Sequence, residues 1–398
     1  MIFAKKFSAS RIAVLFILLS SLYFSYENKF WNKGLIEWDV ISYYAYVPAA
    51  FVYHDLTLEY IHDPNFKGTV WPEQAPNGKP VIKTTLGLAI LYTPFFAMAH
   101  FISDLLPGYD HDGYSIIYSF FLLVSNIFYT FIGFYYLRKL LLQYFSESIT
   151  TYVLLTFFFS TNLFYYSLYN VMAHSYLFTL VTLIVYFTIK WHEKPDVQKS
   201  IIIGLIIGLT VLIRPTHVLL SLFFIFYSVT DKKTLSEKVL FFLSHYRNTI
   251  LIGIASFAVI SLQLMYWKHV TGSWLFWSYS NERFFWTKPH IIEGLFGFRK
   301  GLFLYLPILL FSTIGLFLLK KRIKSMSFIV PALMILFTYV TFCWWSWWYG
   351  GGFSIRPMID LYVFFALGLA TLLSVISQFK NTLLKYAAIL LIILSGCY

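Results

Sequence analysis

The sequence predicts an all-α protein: a polytopic bundle of about eleven transmembrane helices. Of its 398 residues, 59% are hydrophobic and only 12% are charged, about half the charged fraction of an ordinary soluble domain. Apolar runs long enough to cross a bilayer recur along the chain, separated by short loops rich in Lys and Arg. Aromatic residues make up 22% of the chain, and many Trp and Tyr stand at the ends of apolar runs, as is typical of membrane interfaces.

The apolar runs and the basic clusters together predict a topology, because Lys and Arg gather in short cytoplasmic loops. The predicted spans lie near 10–26, 113–137, 149–167, 171–190, 200–213, 215–230, 249–267, 301–319, 326–343, 356–377 and 384–398. The cytoplasmic clusters are then Lys5, Lys6 and Arg11; Arg138 and Lys139; Lys190, Lys194 and Lys199; Lys232, Lys233, Lys238 and Arg247; Lys320, Lys321, Arg322 and Lys324; and Lys380 and Lys385. Two long external loops remain, 27–112 and 268–300.

The apolar run at 84–102 is nearly long enough to span, but counting it would move the Arg138 cluster outside. Pro94 interrupts the run and the acidic loop 104–112 follows it, so we predict an external juxtamembrane helix that lies on or dips into the membrane. A twelve-helix topology is the alternative. Residues 1–398 are expected to form one membrane domain without a soluble C-terminal domain.

Several function classes lose support at this stage. The net charge of +12 could suggest nucleic acid, but the basic residues are scattered between apolar runs, so we expect membrane lipids and no nucleic acid as partners. The sequence contains no Walker A motif, no GxSxG and no HExxH, which leaves ATP-driven transport and zinc proteolysis without support.

Two carboxylates, Glu37 and Asp39, follow the first predicted span on the external side. A carboxylate near a low-dielectric boundary is costly unless it binds a cation, pairs with a base or takes part in acid–base chemistry. An ordinary solvated loop is the alternative interpretation of this pair.

Basic side chains at membrane depth are a second set of candidates. Arg214 interrupts about 30 apolar residues, and Arg356 opens a span after three glycines. Both suit a phosphate group, and snorkelling or pairing with a carboxylate such as Asp360 is the alternative for each. His174 begins a span on the external face, where a histidine suits a ligand, a proton carrier or a simple hydrogen bond.

The external loop 268–300 combines basic residues, Arg299 among them, with several tryptophans. Such a loop suits the phosphate and sugar parts of a substrate, although lipid headgroups would satisfy the same side chains. The run from Trp344 to Tyr349 is interpreted first as an interfacial aromatic girdle and second as a sugar platform.

In their order along the chain, these motifs resemble the GT-C class of membrane glycosyltransferases, specifically the bacterial relatives of the protein O-mannosyltransferases and of the lipid A aminoarabinose transferase. The segment from Glu37 to Tyr43 is similar to that family's acidic motif, in which an Asp is followed four residues later by Tyr. The segment beginning at Lys83 is similar to the family's external juxtamembrane helix. Two positions depart from the pattern: Val40 stands where many relatives carry Glu, and Ser42 where they carry His or Arg.

The resemblance implies a role for each matched residue. Asp39 would be the catalytic carboxylate, with Glu37 beside it and Tyr43 one turn further along. Three basic side chains would lie near the donor phosphate: Lys83, Arg214 and Arg356. His174 stands where relatives carry an Asp or His, so a divalent metal ion held by Asp39 and His174 is left open.

By the same resemblance, the donor would be a polyprenyl-phosphate sugar and the acceptor a lipid, glycan or protein at the outer face of a bacterial inner membrane. Sugar transfer would be a direct, inverting displacement, with Asp39 as general base. Two rivals remain at this stage. A transporter or flippase for a lipid-linked glycan would need a similar cavity without a poised carboxylate, and a non-catalytic assembly subunit would tolerate substitution of Asp39, Lys83 and Arg214.

Overall fold

The computed structural model describes residues 8–66 and 68–396, which are mostly helical. The helices are α1 (Ala9–Asn28), α2 (Asp39–Tyr44), α3 (Tyr46–Phe51), α4 (Gly87–Leu105), α5 (Ile116–Leu141), α6 (Glu147–Phe159), α7 (Leu163–Leu168), α8 (Ala173–Glu193), α9 (Val197–Ile213), α10 (Ser221–Phe226), α11 (Lys232–Ser244), α12 (Tyr246–Thr271), α13 (Ile291–Phe296), α14 (Leu302–Tyr305), α15 (Ile308–Phe317), α16 (Ile329–Cys343), α17 (Tyr362–Ile376) and α18 (Thr382–Gly396). Short 3₁₀ helices include Phe30–Asn32, Glu59–His62, Pro215–Leu220, Leu319–Lys321, Lys324–Met326 and Arg356–Leu361. Two short strands, β1 (Glu73–Gln74) and β2 (Pro80–Val81), pair antiparallel in the first long loop.

The all-α prediction is confirmed, and the helices fit a membrane-embedded protein. Seven helical segments of the described chain are long and apolar enough to cross a membrane: Ala9–Asn28, Gly87–Leu105, Ile116–Leu141, Ala173–Glu193, Tyr246–Thr271, Lys324–Cys343 and Arg356–Ile376. Five more apolar helical segments are shorter. Lys5 and Lys6 of the first basic cluster, and the last two residues of the final predicted span, lie outside the described residues.

Some predicted spans are interrupted. The run at 301–319 divides into α14 and α15 at Pro307, which has no N–H for a continuous helix. The run at 149–167 divides into α6 and α7, and the run at 215–230 begins as a 3₁₀ helix. These breaks are local, and each run still contains an apolar helix.

Helices α8 and α17 lie at the centre of the bundle, since most of their side chains are buried by other helices. Helix α17 packs closely against α15 because glycines meet at the contact. A Cβ atom at Gly315 would lie 1.9 Å from the carbonyl oxygen of Gly368, so a larger residue at this point would force the helices apart. This contact lies in the middle of α17 and holds that helix against α15.

The bundle has two chemically different ends. At one end Arg138 Nε donates to Ser10 Oγ at 2.6 Å, and the backbone N–H of Ser10 donates to Glu147 at 2.7 Å. At the other end the two long loops meet: Ser280 Oγ donates to Glu73 at 2.7 Å. We refer to these as the Arg138 end and the Asp39 end.

Helix α4 lies near the Asp39 end. Its first residue, Gly87, is packed against the last residue of α9, since a Cβ atom there would lie 2.6 Å from the backbone nitrogen of Ile213. Further along α4, His100 Nδ1 lies 2.7 Å from the hydroxyl of Tyr118, in the first turn of α5. Helix α4 therefore packs alongside the half of α5 that is remote from Arg138.

Candidate active site

Asp39 is placed by an unusual backbone conformation. Trp38 has φ 52° and ψ −133°, and helix α2 begins at the next residue. A bulky residue with positive φ costs on the order of 1–3 kcal/mol, and such strain tends to occur at functional sites. Asp39 is 51% exposed, whereas Tyr43, one turn later, is buried.

Arg356 forms an ion pair with Asp39, with 2.5 Å between its Nη2 and Asp39 Oδ2. It follows the glycines Gly350 to Gly352 and opens the 3₁₀ helix before α17. Its Nη1 also lies 3.3 Å from the sulfur of Met172. Asp360, the other carboxylate that could pair with Arg356, instead lies beside His174 and His217.

A buried, hydrogen-bonded series of side chains orients Arg214. Asp360 Oδ1 accepts from His174 Nδ1 at 2.8 Å, and His174 Nε2 lies 3.2 Å from Nη2 of Arg214. Because a guanidinium can only donate, His174 accepts at Nε2 and carries its proton on Nδ1. His217 Nε2 lies 3.1 Å from the second oxygen of Asp360. Asp360 therefore holds His174, and His174 holds Arg214.

Lys83 precedes α4 and joins the two long loops. Its Nζ lies 2.7 Å from Glu282 Oε1 and 3.8 Å from Glu73 Oε1, and 5.6 Å from the ring centre of Tyr279. Burial raises the pKa of Tyr279 well above its usual value, so this hydroxyl stays neutral beside the lysine. Burial likewise raises the pKa of Tyr43.

Two cavities lie on either side of the Asp39–Arg356 pair, and both include Gly350 in their walls. The basic cavity, with a volume of about 340 Å³, is lined by Lys83, Arg214 and Arg356, and further by Tyr43, His217, Tyr279, Glu282, Trp344 and Tyr349. The glycine cavity, of about 520 Å³, is lined by Gly34, Gly350, Gly351 and Gly352, and further by Lys33, Glu37, Trp38, Tyr165, Tyr169, Asn170 and Met172.

The structure thus brings most of the predicted site residues together. Lys83, Arg214 and Arg356 share the basic cavity with Tyr43, and Glu37 faces the glycine cavity. His174 acts behind Arg214 rather than in a cavity wall. Arg299 lines neither cavity. Its guanidinium instead lies 3.7 Å from the ring centre of Trp348.

The arrangement of Asp39 and His174 does not suit a divalent cation. Asp39 is paired with the guanidinium of Arg356, and both nitrogens of His174 already have partners, Asp360 and Arg214. A metal ion would have to lie beside two guanidinium groups and break a buried hydrogen bond before it could bind both residues. We derive no step through a metal.

Sequence reasoning did not select Asp360, His217 or Glu282 as site residues. Asp360 had a usable signal, because an ionisable residue inside an apolar run is a functional candidate by itself. His217 follows Arg214 by three residues, which places both on one side of a helical turn. Glu282 had no local signal, since its role depends on a contact with Lys83, 199 residues away.

Comparison with known proteins does not assign this chain to a family. No protein-family model matches the chain, and no curated protein matches it significantly.

Proposed function

We propose that the protein is a membrane glycosyltransferase that moves a sugar from a polyprenyl-phosphate donor to an acceptor at the outer membrane face. The observation that carries the proposal is the position of Asp39, a half-exposed carboxylate between two cavities of which one is lined by three basic side chains. A transferase must bring two substrates to one carboxylate, and this arrangement offers a cavity for each.

The proposed reaction is a single displacement. Asp39 accepts the proton of the acceptor hydroxyl as the oxygen attacks the anomeric carbon, and the bond between that carbon and the phosphate oxygen breaks. The electron pair leaves with the polyprenyl phosphate, and the configuration at the anomeric carbon is inverted. The pair with Arg356 uses Oδ2 of Asp39, and the exposure of the side chain supports access to the carboxylate from the glycine cavity.

The basic cavity suits the donor, because negative charge grows on the phosphate as the bond breaks. Arg214 is the strongest candidate for contact with the phosphate. Lys83 is paired with Glu282 and Arg356 with Asp39, whereas the contact described for Arg214 is to a neutral histidine. Arg214 is therefore the one of the three whose described contacts include no direct carboxylate partner, since Asp360 reaches it only through His174.

The proposed topology keeps the eleven predicted spans, with the Asp39 end outside a bacterial inner membrane. The course of α4 supports its placement as a juxtamembrane helix: it begins level with the end of α9 and accompanies the half of α5 remote from Arg138. Cysteines introduced at 50–80, 104–112 and 275–295 should react with an impermeant reagent from outside. Those at 231–245 and 320–325 should react only from inside. Labelling of 104–112 from the cytoplasm would make α4 a true span.

The function is tested with the purified chain in nanodiscs, a series of radiolabelled polyprenyl-phosphate sugars as donors, and lipid, glycan and peptide acceptors added in turn. We expect release of polyprenyl phosphate from at least one donor, and loss of release in Asp39→Asn. Asp196→Asn is the matched control, because Asp196 is a helix-capping carboxylate at the start of α9, remote from the cavities.

A flipping assay with the same donors in liposomes distinguishes the rival. Flipping by both the parent and folded Asp39→Asn protein, without sugar release, would favour the transporter. Equal sugar release by the parent and folded Asp39→Asn protein would remove Asp39 from the proposed mechanism.

A further inference from the structure

The glycine cavity differs from the basic cavity in the chemistry of its walls. Its four charged side chains balance, with Lys33 and Arg356 against Glu37 and Asp39. The remaining polar side chains are neutral, and they include the hydroxyls of Tyr165 and Tyr169 and the amide of Asn170. Such walls favour an uncharged ligand with many hydrogen-bonding groups over an anion or a cation.

We propose that the glycine cavity binds the acceptor, and that the group it recognises is a neutral carbohydrate. This inference rests on the proposed function, since it assigns the chemical class of the second substrate. The hydroxyl that loses its proton to Asp39 then belongs to an uncharged sugar ring. A phosphorylated or acidic sugar and a peptide hydroxyl are the classes that the test must separate from it.

The aromatic residues of this cavity suit the flat, weakly polar faces of a sugar ring. Trp38 is 74% exposed and its ring lies edge-on to Trp71, with 5.8 Å between the ring centres. Tyr165 and Tyr169 lie 5.1 Å apart at a tilt of 40° in the wall of the same cavity. Aromatic side chains with a polar edge supply contact area and hydrogen bonds together, and both are needed to hold a polyhydroxylated ring.

The glycine wall brings backbone groups within reach of such a ring. Added Cβ atoms at Gly350 and Gly351 would meet no other atom within 4 Å, so the space beside this backbone is open. Gly350 has φ +63°, which disfavours other residues, whereas Gly351 is not in a left-handed conformation. A side chain at Gly351 would therefore enter open space without backbone strain, and this position offers a way to obstruct the cavity.

The test uses the full chain in nanodiscs, because sugar-headed detergents would compete for the cavity. Saturation-transfer NMR is recorded with three probes: a neutral hexose trisaccharide, the corresponding uronic-acid trisaccharide and a serine-containing peptide. We expect transfer to the neutral trisaccharide, at least threefold weaker transfer to the acidic one, and loss of the neutral signal in Gly351→Trp and Trp38→Ala.

Two comparisons make this result specific. Tyr246→Ala, which removes an exposed aromatic side chain that lines neither cavity, should retain the signal. Gly351→Ala, the smallest change at the obstructing position, should weaken the signal less than Gly351→Trp, and an unfolding temperature of Gly351→Trp close to that of the parent shows that the bulky variant is folded.

Preferred binding of the acidic trisaccharide or of the peptide would overturn the inference, as would an unchanged neutral signal in Gly351→Trp. The NMR readout needs no turnover, so its failure is distinguishable from failure of the proposed transfer reaction. Saccharide binding without sugar release would retain the preference of the glycine cavity for a neutral carbohydrate, but would reject the transferase function and with it the role of that carbohydrate as acceptor.

Discussion

The basic cavity and the glycine cavity share the Asp39–Arg356 pair, yet they are built differently. The basic cavity is supported from behind by buried polar side chains, in which Asp360 holds His174 and His174 holds Arg214. The glycine cavity is formed mostly by loop residues, several of them exposed, including three consecutive glycines that present backbone without side chains. Rigid support suits a fixed site for one charged group, whereas an open wall suits acceptors that vary in shape.

The two arginines of the basic cavity show the same contrast on a smaller scale. Arg356 is neutralised directly by Asp39, so its charge is largely used within the protein. Arg214 is oriented by a neutral imidazole, and its nearest carboxylate in this series, Asp360, lies behind that imidazole rather than in contact with the guanidinium. An anion entering the cavity therefore meets its strongest attraction at Arg214, and substitutions should separate the two arginine roles.

The largest expected effect is at the shared carboxylate. Asp39→Asn should lower the rate of transfer on the order of 10²- to 10⁴-fold, since the amide matches the shape but cannot accept the proton. Glu37→Gln, in the glycine cavity alone, should lose much less. Single-turnover rates with a saturating donor measure both. Equal losses in the two variants, reversed in part by added divalent cation, would instead indicate a metal ion held by Glu37 and Asp39 together.

The second effect concerns the donor. Arg214→Ala should raise the donor KM about 10- to 100-fold, because a hydrogen bond to a charged group contributes about 1.5–3 kcal/mol. Lys83→Ala should also raise it, in part because the substitution leaves Glu282 unpaired beside the phosphate. Adding Glu282→Gln to Lys83→Ala should then recover part of the donor affinity.

Steady-state kinetics over a range of donor concentrations measure these changes. A donor KM that stays constant in Arg214→Ala would place the phosphate elsewhere. No recovery in the double variant would mean that Lys83 contacts the donor directly and that Glu282 plays no part.

The sequence predicted the helical fold and much of this site because both depend on local signals. Apolar length and aromatic borders predicted membrane helices, and Glu37, Asp39 and Arg214 were conspicuous because ionisable groups are rare near apolar runs. The breaks within predicted spans were not anticipated, although Pro307 is a visible cause of one of them.

What the sequence could not supply is pairing between distant segments. Arg356 and Asp39 are 317 residues apart, and nothing local to either selects the other. The same holds for His174 and Asp360, which are 186 residues apart. The division of the site into two cavities follows from these contacts, so it became visible only in three dimensions.

A smaller effect tests the buried support of Arg214. Asp360→Asn should raise the donor KM about two- to tenfold while the maximal rate changes little, because it weakens one hydrogen bond that positions His174. Asp196→Asn serves again as the control. A fall in the maximal rate with an unchanged donor KM would mean that Asp360 acts on the chemical step, and the contrast between the cavities would lose its basis.

The smallest effect concerns Lys300, whose Nζ donates to the carbonyl of Gly350 in the wall shared by both cavities. Burial, followed by repulsion from Arg356 and Arg299, lowers the pKa of Lys300 to about 8.

This lowered pKa predicts a dependence of stability on pH. Between about pH 8 and the pKa of a lysine in the unfolded chain, near 10.4, the unfolded chain binds more protons at this position than the folded chain, so stability should rise with pH. Since Lys300 is only partly buried, solvent screens much of the effect, and we expect a gain of about 1–2 °C in unfolding temperature from pH 7.5 to 9.5. The gain is measured in nanodiscs as the difference between the parent and Lys300→Met, which removes the contribution of other titrating groups. A parent that loses stability relative to Lys300→Met over this interval would mean that the charged amine is favoured in the folded state, and that Lys300 holds the shared wall by attraction to a carboxylate rather than by a bond to Gly350.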